Sequence, residues 1–109
     1  MNLSQKAFDA VVENRISTCY NGLVVKGKEY VRNDDRLHNF RETARRENQT
    51  MLEALNGMMA KHVTGYHDLI QDVKSGKKVE QKVIDDRFTD LINYLLLSEA
   101  IIVEHNQNS

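Results

Sequence analysis

From Lys82 to Val103 the chain reads KVIDDRFTDLINYLLLSEAIIV, and its apolar positions recur at steps of three and four. Ile84, Phe88, Leu91, Leu95 and Ile102, with Ser98 filling the remaining place, define one face of an α-helix. Ile92, Leu96, Ala100 and Val103 cover the neighbouring face, so beyond Leu91 the helix is apolar nearly all round. Such a helix is central in a bundle or shared between subunits. The pattern starts near Val79 and runs to about His105, roughly 40 Å at 1.5 Å per residue. Residues 106–109 read as a frayed tail.

The preceding chain supplies three more helices. Ser4 is placed to cap the first, in which Phe8, Val12, Ile16, Cys19 and Leu23 make one stripe widened by Val11 and Val24. Gly22 weakens that helix by about 1 kcal/mol relative to alanine, so a short kink or an early end is expected there, and Gly27 gives a second stop. Glu29 to Asn33 reads as a loop. Asn33 or Asp34 then caps a second, shorter helix with Leu37, Phe40 and Ala44 facing inward, ended by Asn48 and Gln49. Thr50 and Glu53 have the spacing of a capping box. The third helix carries Leu52, Leu55, Met59, His62, Tyr66, Leu69 and Val73 as a heptad-like seam. Gly57, Lys61 and Gly65 fall on another face, where a neighbour comes close. Gly76 supplies its C-cap. The expectation is one all-α domain over residues 1–109, a four-helix bundle with one short helix and the long C-terminal helix central. Its surplus of apolar surface predicts a two-fold homodimer.

Composition changes this picture little. The absence of proline lets long helices run unbroken. One cysteine excludes an internal disulfide framework and a cysteine-rich zinc site, and its place on the apolar stripe marks Cys19 as a buried thiol. A net charge of −1 exerts no global pull toward nucleic acid or membrane. The longest apolar stretch, Leu95 to Val103, is interrupted by Ser98 and Glu99 and is too short to span a bilayer. The N-terminal segment lacks the basic start and continuous apolar run of a signal peptide, so a cytoplasmic protein is expected.

The polar residues leave several chemistries open. Asp34 and Asp35 suit the N-terminus of a helix; alternatively Glu29 and Asp35 join Asp86 and Asp90 around a divalent cation, since hard cations take carboxylate oxygens. Arg32, Arg36, Arg41, Arg45 and Arg46 form either a solvated face balanced by Glu42 and Glu47 or a grip on phosphate. Arg36 stands apart, one turn from Phe40 and beside the acidic pair, and points to a structural or ligand salt bridge. His62 falls on the apolar seam, where a hydrogen-bonded core histidine and a ligand are the two readings. Lys61 can reach Asp90 or a ligand phosphate. Asp86, Asp90, Asn93 and Tyr94 mark a buried ion pair or a metal or ligand site. No P-loop, catalytic triad order or glycine-rich dinucleotide turn is present.

Taken together, Lys28-Glu29-Tyr30, Asp35-Arg36-Leu37-X-Asn39-Phe40, Lys61-His62 and Asp90-Leu91-Ile92-Asn93-Tyr94 resemble a family of small phage and prophage proteins. These are similar to the nucleotide-modification-associated all-α domain and, more distantly, to the MazG-like nucleotide pyrophosphohydrolases. The resemblance spans about residues 24–97. It implies a dimeric helical bundle that binds or acts on nucleotides in an infected bacterium. On this reading Tyr30, Arg36, Asn39, Lys61, Asn93 and Tyr94 take the nucleotide, and Glu29, Asp35, Asp86 and Asp90 take magnesium. In the hydrolases, paired acids on two helices hold magnesium, which polarises the phosphate and activates water. Here the last helix supplies Asp86 and Asp90, but the earlier helix lacks the Glu-X-X-Glu pair. Two forms are therefore expected: a magnesium-dependent nucleoside triphosphate hydrolase, or a protein that retains or sequesters nucleotides without hydrolysis. The alternative is a non-enzymatic module that binds a host or phage protein through an apolar helical face. Nucleic-acid binding through the arginines ranks last.

Overall fold

The computed structural model describes residues Met1–Ser109 and contains four α-helices and no strand. They are α1 (Gln5–Tyr20), α2 (His38–Glu47), α3 (Met51–Lys74) and α4 (Gln81–Gln107). Most boundaries follow from local chemistry. Ser4 opens α1 by accepting from the Ala7 N–H at 3.1 Å. The rod does not stop at Gly22. It widens into one π-helical turn over Asn21–Val25 and tightens into a 3-10 turn over Lys26–Tyr30, so both glycines lie within helical backbone.

The entry to α2 differs from expectation. Asn33 and Asp34 take left-handed conformations, with φ of 53° and 61°. They close a two-residue turn in which Arg32 and Asp35 exchange backbone hydrogen bonds of 3.2 and 2.9 Å. A residue inside that turn is not positioned to cap α2. No side chain caps α2: Asp35 makes an Asx turn ahead of it, its carboxylate accepting from the Leu37 N–H at 3.0 Å, Leu37 takes the N-cap position and α2 starts at His38. Leu37, Phe40 and Ala44 are buried as their spacing predicts. Left-handed Asn48 ends the helix, with the Gln49 N–H donating to the Ala44 carbonyl at 2.9 Å.

The Thr50–Glu53 capping box is present, its two hydrogen bonds 3.1 and 2.9 Å long. At the far end of α3, Gly76 (φ 81°) occupies a position that L side chains avoid, and Lys77 N–H donates to Asp72 at 3.0 Å. The start of α4 falls two residues after Val79, because Val79 stays outside the helix. It shares a small apolar cavity with Ile84, five positions on, as a hydrophobic staple. The helix then runs through Gln107, slightly past the predicted end.

The core is the cluster Leu37, Phe40, Leu55 and Ile101, where α2 crosses α3 and the C-terminal half of α4. α1 lies along another side of α4. Arg15 ties them, donating to Thr89 Oγ1 at 2.7 Å and to both the carbonyl and the carboxylate of Asp85. The seam of α3 is rotated relative to the predicted one. Leu55 and Leu69 are buried, but Leu52, Tyr66 and Val73 are exposed, and Ala54 and Gly65 take the contact face. The close approach expected at Gly57, Lys61 and Gly65 occurs at Gly65 alone, where the Arg87 side chain crosses. No helix is long and apolar enough to cross a membrane.

Candidate functional site

A cavity of about 710 Å³ opens between the 3-10 turn, one side of α2, α3 and α4. Tyr30 comes from the 3-10 turn and Arg36 from the segment before α2; His38, Asn39 and Thr43 come from the first turns of α2 and Arg46 from its last. Met58 and Tyr94 close it from α3 and α4. The left-handed turn at Asn33–Asp34 makes this possible, since it reverses the chain and brings Arg36 back beneath Tyr30.

Arg36 is fixed on two sides. Its guanidinium lies 5.2 Å from the centre of the Tyr30 ring, a cation–π contact. On the other side it presses on Gly27, where an added Cβ would stand 2.9 Å from Arg36 Nε and 3.1 Å from Nη2. Nε is buried and has no hydrogen-bond acceptor. Nor does Arg36 pair with any carboxylate, unlike Arg15, Arg41 and Arg45. Burying part of a guanidinium without an anion is unfavourable, so a cationic group held this way favours an anionic ligand. Arg46 lines the same space and also lacks an ion pair. The only acid in the lining, Glu42, is held by Arg45 at 2.9 Å, which keeps its carboxyl below the usual glutamate range. In addition, the first-turn N–H groups of His38 and Asn39 have no intrahelical acceptor. The site is therefore basic, with two tyrosine rings in its walls.

Tyr94 is itself supported from behind. Its ring stacks on His62 with centroids 5.0 Å apart, and His62 Nδ1 lies 3.7 Å from Asp90. Both Tyr94 and Asp90 thus face α3, being one turn apart on α4. Asn93 points elsewhere, toward Gly22 in the π-helical turn, and its buried Oδ1 has no donor. Lys61 is exposed and makes no ion pair, with neither Asp90 nor any other acid. Of the six residues expected to take a nucleotide, Tyr30, Arg36, Asn39 and Tyr94 come together; Lys61 and Asn93 do not line the cavity.

The four acids expected to hold magnesium are dispersed. Asp35 accepts from Leu37 and from Arg41 Nε at 2.8 Å, and the Arg41 hydrogen bond holds its carboxyl below the usual aspartate range. Arg41 also reaches Glu104 at 2.6 Å, pinning α2 to α4. Asp86 pairs with Lys82 at 2.7 Å, Asp90 faces His62, and Glu29 is exposed without a partner. No three His, Cys, Asp or Glu side chains are grouped to hold an ion. Within one chain these residues do not fit a carboxylate cage for magnesium.

His38, Thr43 and Met58 are lining residues that the sequence reading did not single out, and Arg46 entered only as one of the five clustered arginines. For Thr43 a signal existed: Asn39, Thr43 and Arg46 recur at steps of four and three, one face of α2. Comparison of the chain with protein-family models, with curated proteins and with solved structures finds no match in any of the three.

Proposed function

We propose that this chain is a nucleotide-binding protein, phage-encoded as the motif resemblance suggests, and that the ligand occupies the cavity between Tyr30 and Tyr94. Phosphates meet Arg36, Arg46 and the free N–H groups at the start of α2, where the helix dipole also favours negative charge. The base packs against a tyrosine ring, and Asn39 supplies polar contacts. The observation that carries this reading is Arg36: a guanidinium clamped between Gly27 and Tyr30 in a cavity wall, with no carboxylate to satisfy it. The cavity volume of about 710 Å³ lies within the range of small-ligand sites.

Retention of the nucleotide is favoured over hydrolysis, because Asp35, the acid next to Arg36, is engaged by Leu37 and Arg41. Magnesium enters as a companion of the ligand phosphates, a common mode for that ion. The working unit is a homodimer in the bacterial cytoplasm, supported by the apolar side chains left exposed on α1 and α4. The same exposed face favours the second reading, a module that docks another protein.

The test is a thermal-shift screen of ribo- and deoxyribonucleotides at millimolar concentration, with and without magnesium. A nucleotide at one hundred times its Kd stabilises by roughly 2.7 kcal/mol, which is readily seen. The expected result is a rise in Tm that Arg36→Ala abolishes. No rise with any nucleotide would leave the docking module as the better account.

A further inference from the structure

A single copy of this chain leaves too much of itself uncovered. Its accessible surface is 8394 Å², whereas a compact monomer of its mass exposes about 6,200 Å². Its radius of gyration is 16.5 Å against about 13 Å for a compact domain of this length. Only ten of 109 residues are buried.

The uncovered surface is patterned. Phe8, Val12, Ile16, Tyr20 and Val24 follow one another at steps of four along the rod, and all five are exposed, Ile16 by 64%. Residues on the adjacent flank of the same rod, Arg15, Cys19 and Leu23, turn toward α4. Ile16, Tyr20 and Val24 form one bank of an almost wholly apolar groove of about 540 Å³, and Ile92 and Leu96 of α4 form the other.

We infer that a second copy of the chain seats on this face, and that the chain folds to full stability only as that dimer. The area matches what a stable dimer needs. Each chain exposes about 2,200 Å² beyond a compact monomer, and two such surfaces fall within the 2,000–5,000 Å² of obligate homodimers. A standard interface, about 800 Å² per partner, would leave most of it open. Charge does not oppose self-association, since the net charge is −1 and no acid or base interrupts the five-residue ridge. A two-fold axis makes the interface self-complementary. Each step of four turns the ridge by about 40° round the rod, so its middle, Val12, Ile16 and Tyr20, faces one partner, and a two-fold axis there brings Ile16 against its own symmetry mate. This inference deepens the homodimer reading above and is independent of nucleotide binding.

The experiment is sedimentation and light scattering from 1 to 100 µM, with urea unfolding across the same range, on the full chain and three variants. The wild type is expected at twice the 12.6 kDa chain mass, with an unfolding midpoint that rises with protein concentration. Ile16→Glu is expected to weaken the dimer at least tenfold or to leave the chain unfolded at micromolar concentration. Ile70→Glu, at a site 48% exposed on α3, is expected to leave assembly intact. Ile16→Cys is expected to cross-link the dimer on oxidation. A folded monomer at 100 µM would overturn the inference, as would a dimer indifferent to Ile16→Glu. Equal sensitivity to the α3 substitution would overturn the seam. Failure of every nucleotide to bind would leave this dimer standing.

Discussion

Gly27→Ala separates ligand binding from folding at this site. The added methyl carbon would lie 2.9 Å from Arg36 Nε and 3.4 Å from Cζ, closer than a relaxed contact allows. The obstructed atoms belong to the far end of a flexible side chain, so the guanidinium swings away and the backbone stays. Two effects on stability then oppose each other. Losing the Tyr30 contact costs about 0.5–1 kcal/mol for a partly exposed cation–π pair. Replacing glycine by alanine within helical backbone returns about 0.5–1 kcal/mol. The net change in unfolding free energy is expected to stay within about 1 kcal/mol. Binding has no such compensation. A charged hydrogen bond contributes about 1.5–3 kcal/mol, so displacing the guanidinium should weaken a nucleotide by about 10- to 150-fold. Calorimetric titration with the best ligand of the thermal screen, beside urea unfolding of both proteins, reads the two quantities separately. Unchanged affinity in Gly27→Ala, with folding intact, would refute the assignment of Arg36 to the ligand.

Three further outcomes follow from the fold. Leu55 is the most completely buried large side chain, so Leu55→Ala should cost about 2–5 kcal/mol in urea unfolding; a loss under 1 kcal/mol would mean that the core lies elsewhere. Thr50→Ala removes one half of the capping box and should cost about 1 kcal/mol, with Thr50→Ser restoring most of it. The carboxyl of Asp35 is held below its ordinary value of 3.8, so the unfolded chain takes up its proton first as pH falls. Its contribution is thus complete above that value and lost as pH drops through the lower folded one. Asp35→Asn should lower stability at pH 7 and flatten the acid limb of the stability–pH curve; an unchanged limb would contradict the Arg41 contact.

Helices were legible wherever period and caps agreed. Ser4, the Thr50–Glu53 pair and Gly76 announced their ends because each acts on backbone groups within a few residues. Winding was not legible: apolar spacing cannot show that hydrogen bonding shifts to π and then 3-10 between Asn21 and Tyr30, and a glycine such as Gly22 reads equally as a kink or an early end. The turn at Asn33–Asp34 was misread for a related reason. Asn and Asp favour both helix caps and left-handed turns, and only the reciprocal Arg32–Asp35 bonds decide between them. Four cavity residues were foreseen from motifs, whereas the acids were not, because carboxylate spacing says nothing about a nearby lysine or arginine. Lys82 and Arg41 each took an acid expected at a metal.

The lone thiol has a practical consequence. Cys19 forms part of the floor of the apolar groove at 3% exposure, and burial raises its pKa, so at neutral pH its reaction with oxidant or label is slowed while the rod stays docked on α4. Labelling is expected to be fastest when α1 lifts. The chain therefore carries its own clock for that opening, one that runs without any mutation and registers a ligand or a dimer only through how far each slows it.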